Sequence, residues 1–301
     1  MTVWEEALAR EKIPFRADCP LAGFSTFRIG GPADLAVFPR SVGELIGAFR
    51  VCRAAGLPLF VAGNGSNLLF ADAGVRGAVV FTKSVNRVSE LPDGFFAACG
   101  AMLPALSRSA ALRGLSGLEF AAGIPGTVGG AVCMNAGAHG EEMANVVFET
   151  AYYDAATDTR GSVSGGGHAF SYRTSVFAGE PEKIILGARI CLQKDDPEKI
   201  QRKMRENLAL RREKQPLGEP SAGSAFKRPA NGSAAELIDR LGLKGLSVGG
   251  AAVSEKHAGF IVNRGNATAK DVTKLMDSVR KIVFEKTGIL LESEIRVIGE
   301  I

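Results

Sequence analysis

The sequence predicts an α+β protein of two or three packed domains, in which short strands outnumber helices. Three observations carry this expectation. The 301 residues are 46% hydrophobic and 23% charged, which is enough apolar material for a large core and too much length for one small domain. Glycine stands at 37 residues, roughly 12% against a usual ~7%, and is clustered without a collagen-like period. Short apolar runs punctuated by glycine recur along the chain, and only a few segments keep a helical period.

Taken in chain order, Ser41 and Glu44 form the pattern of a capping box ahead of Leu45, Ile46, Phe49 and Cys52, and Gly56 closes that helix. LPLFVA at 57–62 is a short apolar run ending abruptly in GNGSN, the pattern of a strand entering a loop. Strand-like sequence continues through NLLFADAGVRGAVVF and GFFAACG, and a helix near 103–113 leads to GLEFAAGIPGTVGGAVCMNAGAHG. From Pro197 to about Lys214 a charged helical run, ended by Gln215 and Pro216, connects one domain to the next. Ser233 and Glu236 cap a short helix carrying Leu237, Ile238 and Leu241. Thr268 with Asp271 caps another, whose apolar positions 272, 275, 276, 279, 282 and 283 keep a helical period. LLESEIRVIG reads as a closing strand, and no internal repeat or low-complexity tract is present.

The net charge of +4 arises from 36 basic and 32 acidic residues interspersed along the chain. No polybasic stripe points to nucleic acid, whereas a modest positive excess suits an anionic small molecule. The segment MTVWEEALAREKIPF carries charges where a signal peptide needs an apolar run, and no stretch approaches the ~18 apolar residues of a membrane span. A cytoplasmic protein with no membrane partner is expected. The cysteines at 19, 52, 99, 133 and 191 are odd in number and contain no C-x-x-C pair, which argues against a disulfide framework and a zinc site. With only His139, His168 and His257 besides, no metal centre is expected.

Two glycine loops stand out. GNGSN at 63–67 contains G-x-G after a strand, but position 68 is Leu where a dinucleotide fingerprint has its third glycine, and LLFADAG opens no helix. GIPGTVGG at 123–130 lacks the G-K-[ST] ending of a P-loop, so it offers no lysine to a phosphate and no hydroxyl to magnesium. The remaining reading is of glycines at positive φ whose successive N–H groups form a nest for an anion, a diphosphate being the natural guest. Ser66, Asn67, Thr127 and Asn135 beside the glycines favour ligand binding over plain turns.

Six motifs taken together resemble one family. GNGSNLLF, GLEFAAGIPGTVGGAVCMNAGAHG, SYRTSVF, AGSAFKRP, LKGLSVGGAAVSEKHAGFIVN and LESEIRVIG, in this order from about residue 20 onward, resemble the motifs of the UDP-N-acetylenolpyruvoylglucosamine reductases. The short spacing between SYRTSVF and AGSAFKRP is similar to the family's shorter type, which lacks an inserted substrate-covering segment.

The resemblance implies a vanillyl-alcohol-oxidase-like FAD-binding domain over 1–195, of two subdomains at roughly 1–85 and 86–195, and a C-terminal substrate domain over 196–301. It implies non-covalent FAD, NADPH as co-substrate, UDP-N-acetylglucosamine enolpyruvate as substrate, and a role in peptidoglycan synthesis, with a monomer expected. The flavin diphosphate is then expected against Gly63, Asn64, Gly65, Ser66 and Asn67, and against Gly123, Ile124, Pro125, Gly126, Thr127, Gly129, Gly130, Ala131 and Asn135. Catalytic roles fall on Arg173, Ser224 and Glu294, and substrate contacts on Tyr172, Arg173, Lys227 and Arg228. Many relatives have Asn where this chain has Arg228 and Gly259.

The implied chemistry asks for such residues. Hydride arriving at the enolpyruvyl C3 leaves enediolate character at C2 and on the carboxylate. An arginine fork opposes that charge, a serine hydroxyl near C2 supplies the proton, and a partly buried carboxyl hydrogen-bonds the enediolate. Taken singly, each residue also has a plain reading: Arg173 a surface ion pair, Ser224 a turn former, Glu294 a strand-edge ion pair with Arg296. Arg211, Arg212 and Lys214 flank Ser224 as further candidates for an anion, and His257 and Asn263 resemble motif positions. A flavin-dependent sugar or alcohol oxidase of the same fold and a non-catalytic nucleotide-sugar-binding protein stand as alternatives.

Overall fold

The computed structural model describes residues 2–230 and 232–300. The chain divides into two compact units, neither of them a continuous stretch. One comprises Met1–Arg16, Leu35–Asn64 and Ala78–Leu210, the other Ala17–Asp34, Gly65–Gly77 and Arg211–Ile301.

The first unit is built on one antiparallel five-stranded sheet in the order Thr159–Ser164, Val147–Asp154, Lys183–Cys191, Gly94–Ala98, Val88–Leu91. The central strand Lys183–Cys191 buries Ile184, Ile185, Leu186, Ala188 and Ile190. Helices α1 (Val3–Arg10), α2 (Val42–Ala54), α3 (Leu103–Leu112), α4 (Val128–Cys133) and α5 (Val176–Gly179) contribute to the same unit. Helix α2 forms where its cap predicts, although only half of the expected box is present. Ser41 Oγ accepts from Glu44 N at 3.1 Å, while the Glu44 carboxylate turns back to the N–H of Arg40 at 2.9 Å. Helix α6 (Pro197–Lys214) is the charged run, with Ile200 as its buried residue.

The second unit carries a four-stranded antiparallel sheet in the order Ser221–Ser224, Phe260–Asn263, Ala251–Val253, Ser247–Val248. Helix α7 (Ala234–Arg240) is capped by Ser233. Helix α8 (Ala269–Thr287) has the full reciprocal box: Asp271 N donates to Thr268 Oγ1 at 3.0 Å and Thr268 N to Asp271 Oδ2 at 3.0 Å. Its apolar stripe of Val272, Leu275, Met276, Val279 and Val283 is buried.

Each unit has its own apolar core, and the cores explain why the contacts do not divide at residue 195. Phe27, Ile29 and Leu69 bury their side chains with Ile238, Val272 and Leu275 of the second unit, which draws 17–34 and 65–77 to the C-terminal part. Nor does the first core separate near residue 85, since Leu45 and Phe49 share one cluster with Ala97, Leu103 and Ile190. Among the described residues, no helix is long and apolar enough to cross a membrane.

Candidate active site

In the first unit GIPGTVGG opens a helix. Thr127 is the N-cap of α4, and the helix's first N–H groups are taken up by protein: Val128 N donates to Ala101 O and Gly129 N to Cys99 O, both at 2.8 Å. None of Gly123, Gly126, Gly129 and Gly130 adopts a positive φ, so the expected left-handed nest is corrected. What Gly129 and, in the other loop, Gly63 provide is close approach. A Cβ on Gly129 would stand 3.0 Å from Cys99 Cβ and 3.1 Å from its carbonyl oxygen, and one on Gly63 would collide with the Thr127 hydroxyl. Asn64 Nδ2 donates to Pro125 O at 2.8 Å, so residues 63–64 and 125–127 are held side by side.

Gly123, Ile124, Gly126 and Gly129 remain half-exposed and Pro125 and Gly130 exposed, while Thr127 and Ala131 are buried. The open surface is therefore uncharged, glycine backbone beside the apolar side chains of Ile124 and Pro125, with the Asn64 amide at its edge and no carboxylate in either loop. Glycine backbone on such a surface lets a ligand such as FAD approach closely.

Asn135, expected beside the flavin, lies elsewhere. It is fully buried with φ 42°, its Nδ2 donates to Ser171 O at 3.1 Å and its Oδ1 accepts from Ala144 N at 2.9 Å. The side chain has no accessible surface to offer a ligand, and the expectation is corrected to a structural joint. Ser171 opens a tight turn in which Ser171 and Thr174 exchange backbone hydrogen bonds at 3.2 and 3.1 Å. Tyr172, 46% exposed, and half-buried Arg173 are its central residues. Arg173 has φ 57°, an uncommon conformation for a bulky residue and one usually given to glycine or asparagine. Its guanidinium lies over the Tyr172 ring, 5.2 Å from the centroid, and Nη1 is 3.5 Å from Gly137 O.

In the second unit Ser224 ends the strand Ser221–Ser224, where the register against Phe260–Asn263 slips. Gly223 sits in that irregularity with φ 78°, a bulge geometry that glycine adopts without strain and that re-aims the residue after it. Beyond Ser224 the chain runs antiparallel to 292–294: Glu294 N donates to Ala225 O at 2.9 Å, Lys227 N to Glu292 O at 2.8 Å, and Phe226 bridges Ser293. Two motifs about seventy residues apart are thus joined, with Ser224 and Glu294 on adjoining backbone and both half-buried.

The expectation of one strand across LLESEIRVIG is corrected. Only Arg296–Ile298 form a strand, pairing in parallel with Leu68–Phe70, and Glu294 precedes it. Asn67, expected at the flavin, holds this segment: its Nδ2 donates to Glu294 O at 3.1 Å and its carbonyl accepts from Arg296 N at 3.0 Å. The rest of GNGSN in this unit is also anchored, Gly65 O accepting from Thr26 N at 3.3 Å.

Of the basic candidates, Lys227 pairs with Glu292 at 3.3 Å on the surface and Arg228 is exposed. Arg211 is half-buried, and desolvation pulls its guanidinium below its ordinary range. His257 Nδ1 accepts from Gly259 N at 3.1 Å, so the ring serves the backbone, and burial lowers its pKa. Gly259 matches that packing, since a Cβ there would stand 3.0 Å from both Ala235 Cβ and His257 Cε1. Asn263 donates to Phe27 O at 3.2 Å and accepts from Gly265 N at 2.9 Å. Burial pushes the thiols of Cys52 and Cys99 up to about 11 and about 12, which leaves them inert.

Residues 33–164 match the model of the FAD binding domain, and residues 215–298 that of the UDP-N-acetylenolpyruvoylglucosamine reductase C-terminal domain. Fold and matched domains together define a flavoprotein oxidoreductase with a vanillyl-alcohol-oxidase-like FAD-binding domain. The UDP-N-acetylenolpyruvoylglucosamine reductase of Caldanaerobacter subterraneus subsp. tengcongensis is 46% identical over 281 residues, covering 93% of this chain and 92% of that protein. That of Heliobacterium modesticaldum is 47% identical over 283 residues, covering 93% and 90%. The crystal structure of the Thermus caldophilus enzyme superposes with a TM-score of 0.79 at 36% identity, over 95% of this chain and 99% of that one. The chain belongs to the UDP-N-acetylenolpyruvoylglucosamine reductase family.

Proposed function

We propose that this protein reduces UDP-N-acetylglucosamine enolpyruvate to UDP-N-acetylmuramate for peptidoglycan synthesis, at the expense of NADPH and with FAD held non-covalently. The observation that carries this reading is the 46% identity sustained over 93% of the chain and 92% of a reductase, across both units. A cytoplasmic monomer is part of the same reading. FAD would lie against Gly63, Asn64 and the half-exposed backbone of Gly123–Gly130; when bound, it supplies the hydride for C3.

The remaining work falls to the chain's own side chains. Arg173 meets the substrate carboxylate with a two-pronged guanidinium and opposes the charge that builds on it, an interaction that strengthens toward the transition state. The Ser224 hydroxyl donates the proton to C2, which needs closeness to that carbon more than a low pKa, because an enolate is a strong base. Glu294, half-buried and pinned through its backbone, holds a proton and hydrogen-bonds the enediolate. The product has then gained one hydride at C3 and one proton at C2. Tyr172, Lys227 and Arg228 complete the substrate contacts, the two basic residues suiting a diphosphate. The joined backbone of Ser224–Lys227 and Glu292–Glu294 supports a shared role for Ser224 and Glu294, and the left-handed conformation of Arg173 supports a functional demand on that residue.

Separating the two half-reactions tests the assignment. In stopped-flow mixing, Ser224→Ala should still be reduced by NADPH, while its reoxidation by the enolpyruvyl substrate falls by at least ~10²-fold. Reoxidation at the wild-type rate would remove Ser224 as proton donor.

A further inference from the structure

We infer that Asn135 and Ser175 are positioning residues for Arg173, tying the turn that carries it to the far end of the helix opened by GIPGTVGG. The inference rests on the reading of Arg173 as the group that meets the substrate carboxylate.

Helix α4 ends in a Schellman arrangement, in which Asn135 N donates to Val132 O at 3.2 Å and Ala136 N to Ala131 O at 2.8 Å. Asn135 is the left-handed residue of that arrangement, a position glycine takes at least cost. This chain is rich in glycine and places one two residues later, so an asparagine here calls for a reason in its side chain. That side chain has no accessible surface and both ends are engaged: Oδ1 accepts from Ala144 N at 2.9 Å and Nδ2 donates to Ser171 O at 3.1 Å.

Ser171 O is also the acceptor that closes the Arg173 turn, from Thr174 N. On the other side of the turn Ser175 is buried, and its hydroxyl donates to Cys133 O, at the last residue of α4, at 2.9 Å. Ser175 stands just before α5, yet its side chain does not cap that helix. The turn is therefore clamped at both ends onto the C-terminus of α4. The Arg173 guanidinium reaches back to Gly137 O in the hairpin that leaves the same helix. An off-axis backbone conformation for a long side chain is held only when its surroundings over-determine it, and these two tethers do so.

Asn135→Asp isolates the tether. Aspartate tolerates the left-handed conformation, keeps the volume and retains an acceptor for Ala144 N–H. It replaces the Nδ2 donor by a carboxylate oxygen facing Ser171 O. Only the protonated acid can donate there, and burial raises the pKa of such a carboxyl. Both half-reactions of the FAD-loaded protein are followed between pH 6 and 9, roughly the range where a raised carboxyl titrates, with stability by denaturant at each pH. The expected result is flavin reduction by NADPH close to wild type, reoxidation by the enolpyruvyl substrate slower by about 10²-fold at high pH, and recovery of that rate as the pH falls.

Ser175→Ala, which introduces no buried charge, should slow the same half-reaction by about 10-fold with no pH-dependent recovery. Wild-type reoxidation in both variants overturns the inference, and so does a parallel loss of both half-reactions with stability, the mark of a merely structural joint. Arg173→Ala is measured beside them. If it reoxidises normally, the reading of Arg173 fails; if it does not while Asn135→Asp and Ser175→Ala do, the positioning inference alone fails.

Discussion

At the residue scale, Arg173 holds a left-handed backbone conformation that the proposed role at the substrate carboxylate would explain. A bulky side chain at φ 57° costs on the order of 1 kcal/mol that glycine would avoid. Arg173→Gly should therefore leave stability within about 1 kcal/mol of wild type in denaturant unfolding, while the reaction with the enolpyruvyl substrate is lost. A variant destabilised by several kcal/mol would mean that the arginine supports the fold. The residue type and its motif were legible in SYRTSVF, but not the turn. Its conformation is held by the hydrogen bonds from Asn135 to Ser171 and from Ser175 to Cys133, which span 36 and 42 residues of sequence, and no local pattern reports such tethers. The same holds for Asn67 and Asn135. Amide side chains beside glycine loops are natural candidates for a ligand from composition alone, yet here they secure the backbone of Glu294 and the Arg173 turn.

Among the elements, those set by local chemistry were read well. Helix α8 follows its cap and its apolar period along its length, because both signals lie within a few residues of what they control. Thr268→Ala removes the hydroxyl that accepts from Asp271 N and should cost about 1 kcal/mol of unfolding free energy; an unchanged denaturation midpoint would mean that tertiary packing alone fixes the helix start. The closing segment was misread for the opposite reason. LLESEIRVIG alternates like a strand, but its partner Leu68–Phe70 lies more than two hundred residues earlier and pairs in parallel over three residues only, so Glu294 falls outside the strand. GIPGTVGG was legible as a close-approach loop and illegible as a helix start, since Gly129 closes on Cys99 and Thr127 on Gly63, neither visible from within the motif.

At the scale of the whole molecule, two separate cores are threaded by a chain that changes unit four times before Leu210 and Arg211. The FAD binding domain model matches 33–164 and the reductase C-terminal domain model 215–298, while length and composition carry no signal that 17–34 and 65–77 belong with the C-terminal core. One consequence is functional: Glu294 and the GNGSN residues Gly65–Asn67 sit in the same unit, so the segment that secures Glu294 is a continuation of the loop expected at the flavin. On the proposed reading this molecule passes hydride from NADPH through bound FAD to an enolpyruvyl carbon. Single-turnover reoxidation of the NADPH-reduced protein tests it most directly. The flavin spectrum should return on mixing with UDP-N-acetylglucosamine enolpyruvate, with one reduced product formed per flavin, and far faster than on mixing with oxygen alone. A protein that is colourless and takes up no FAD, or one whose flavin oxygen reoxidises faster than the enolpyruvyl compound does, would contradict it.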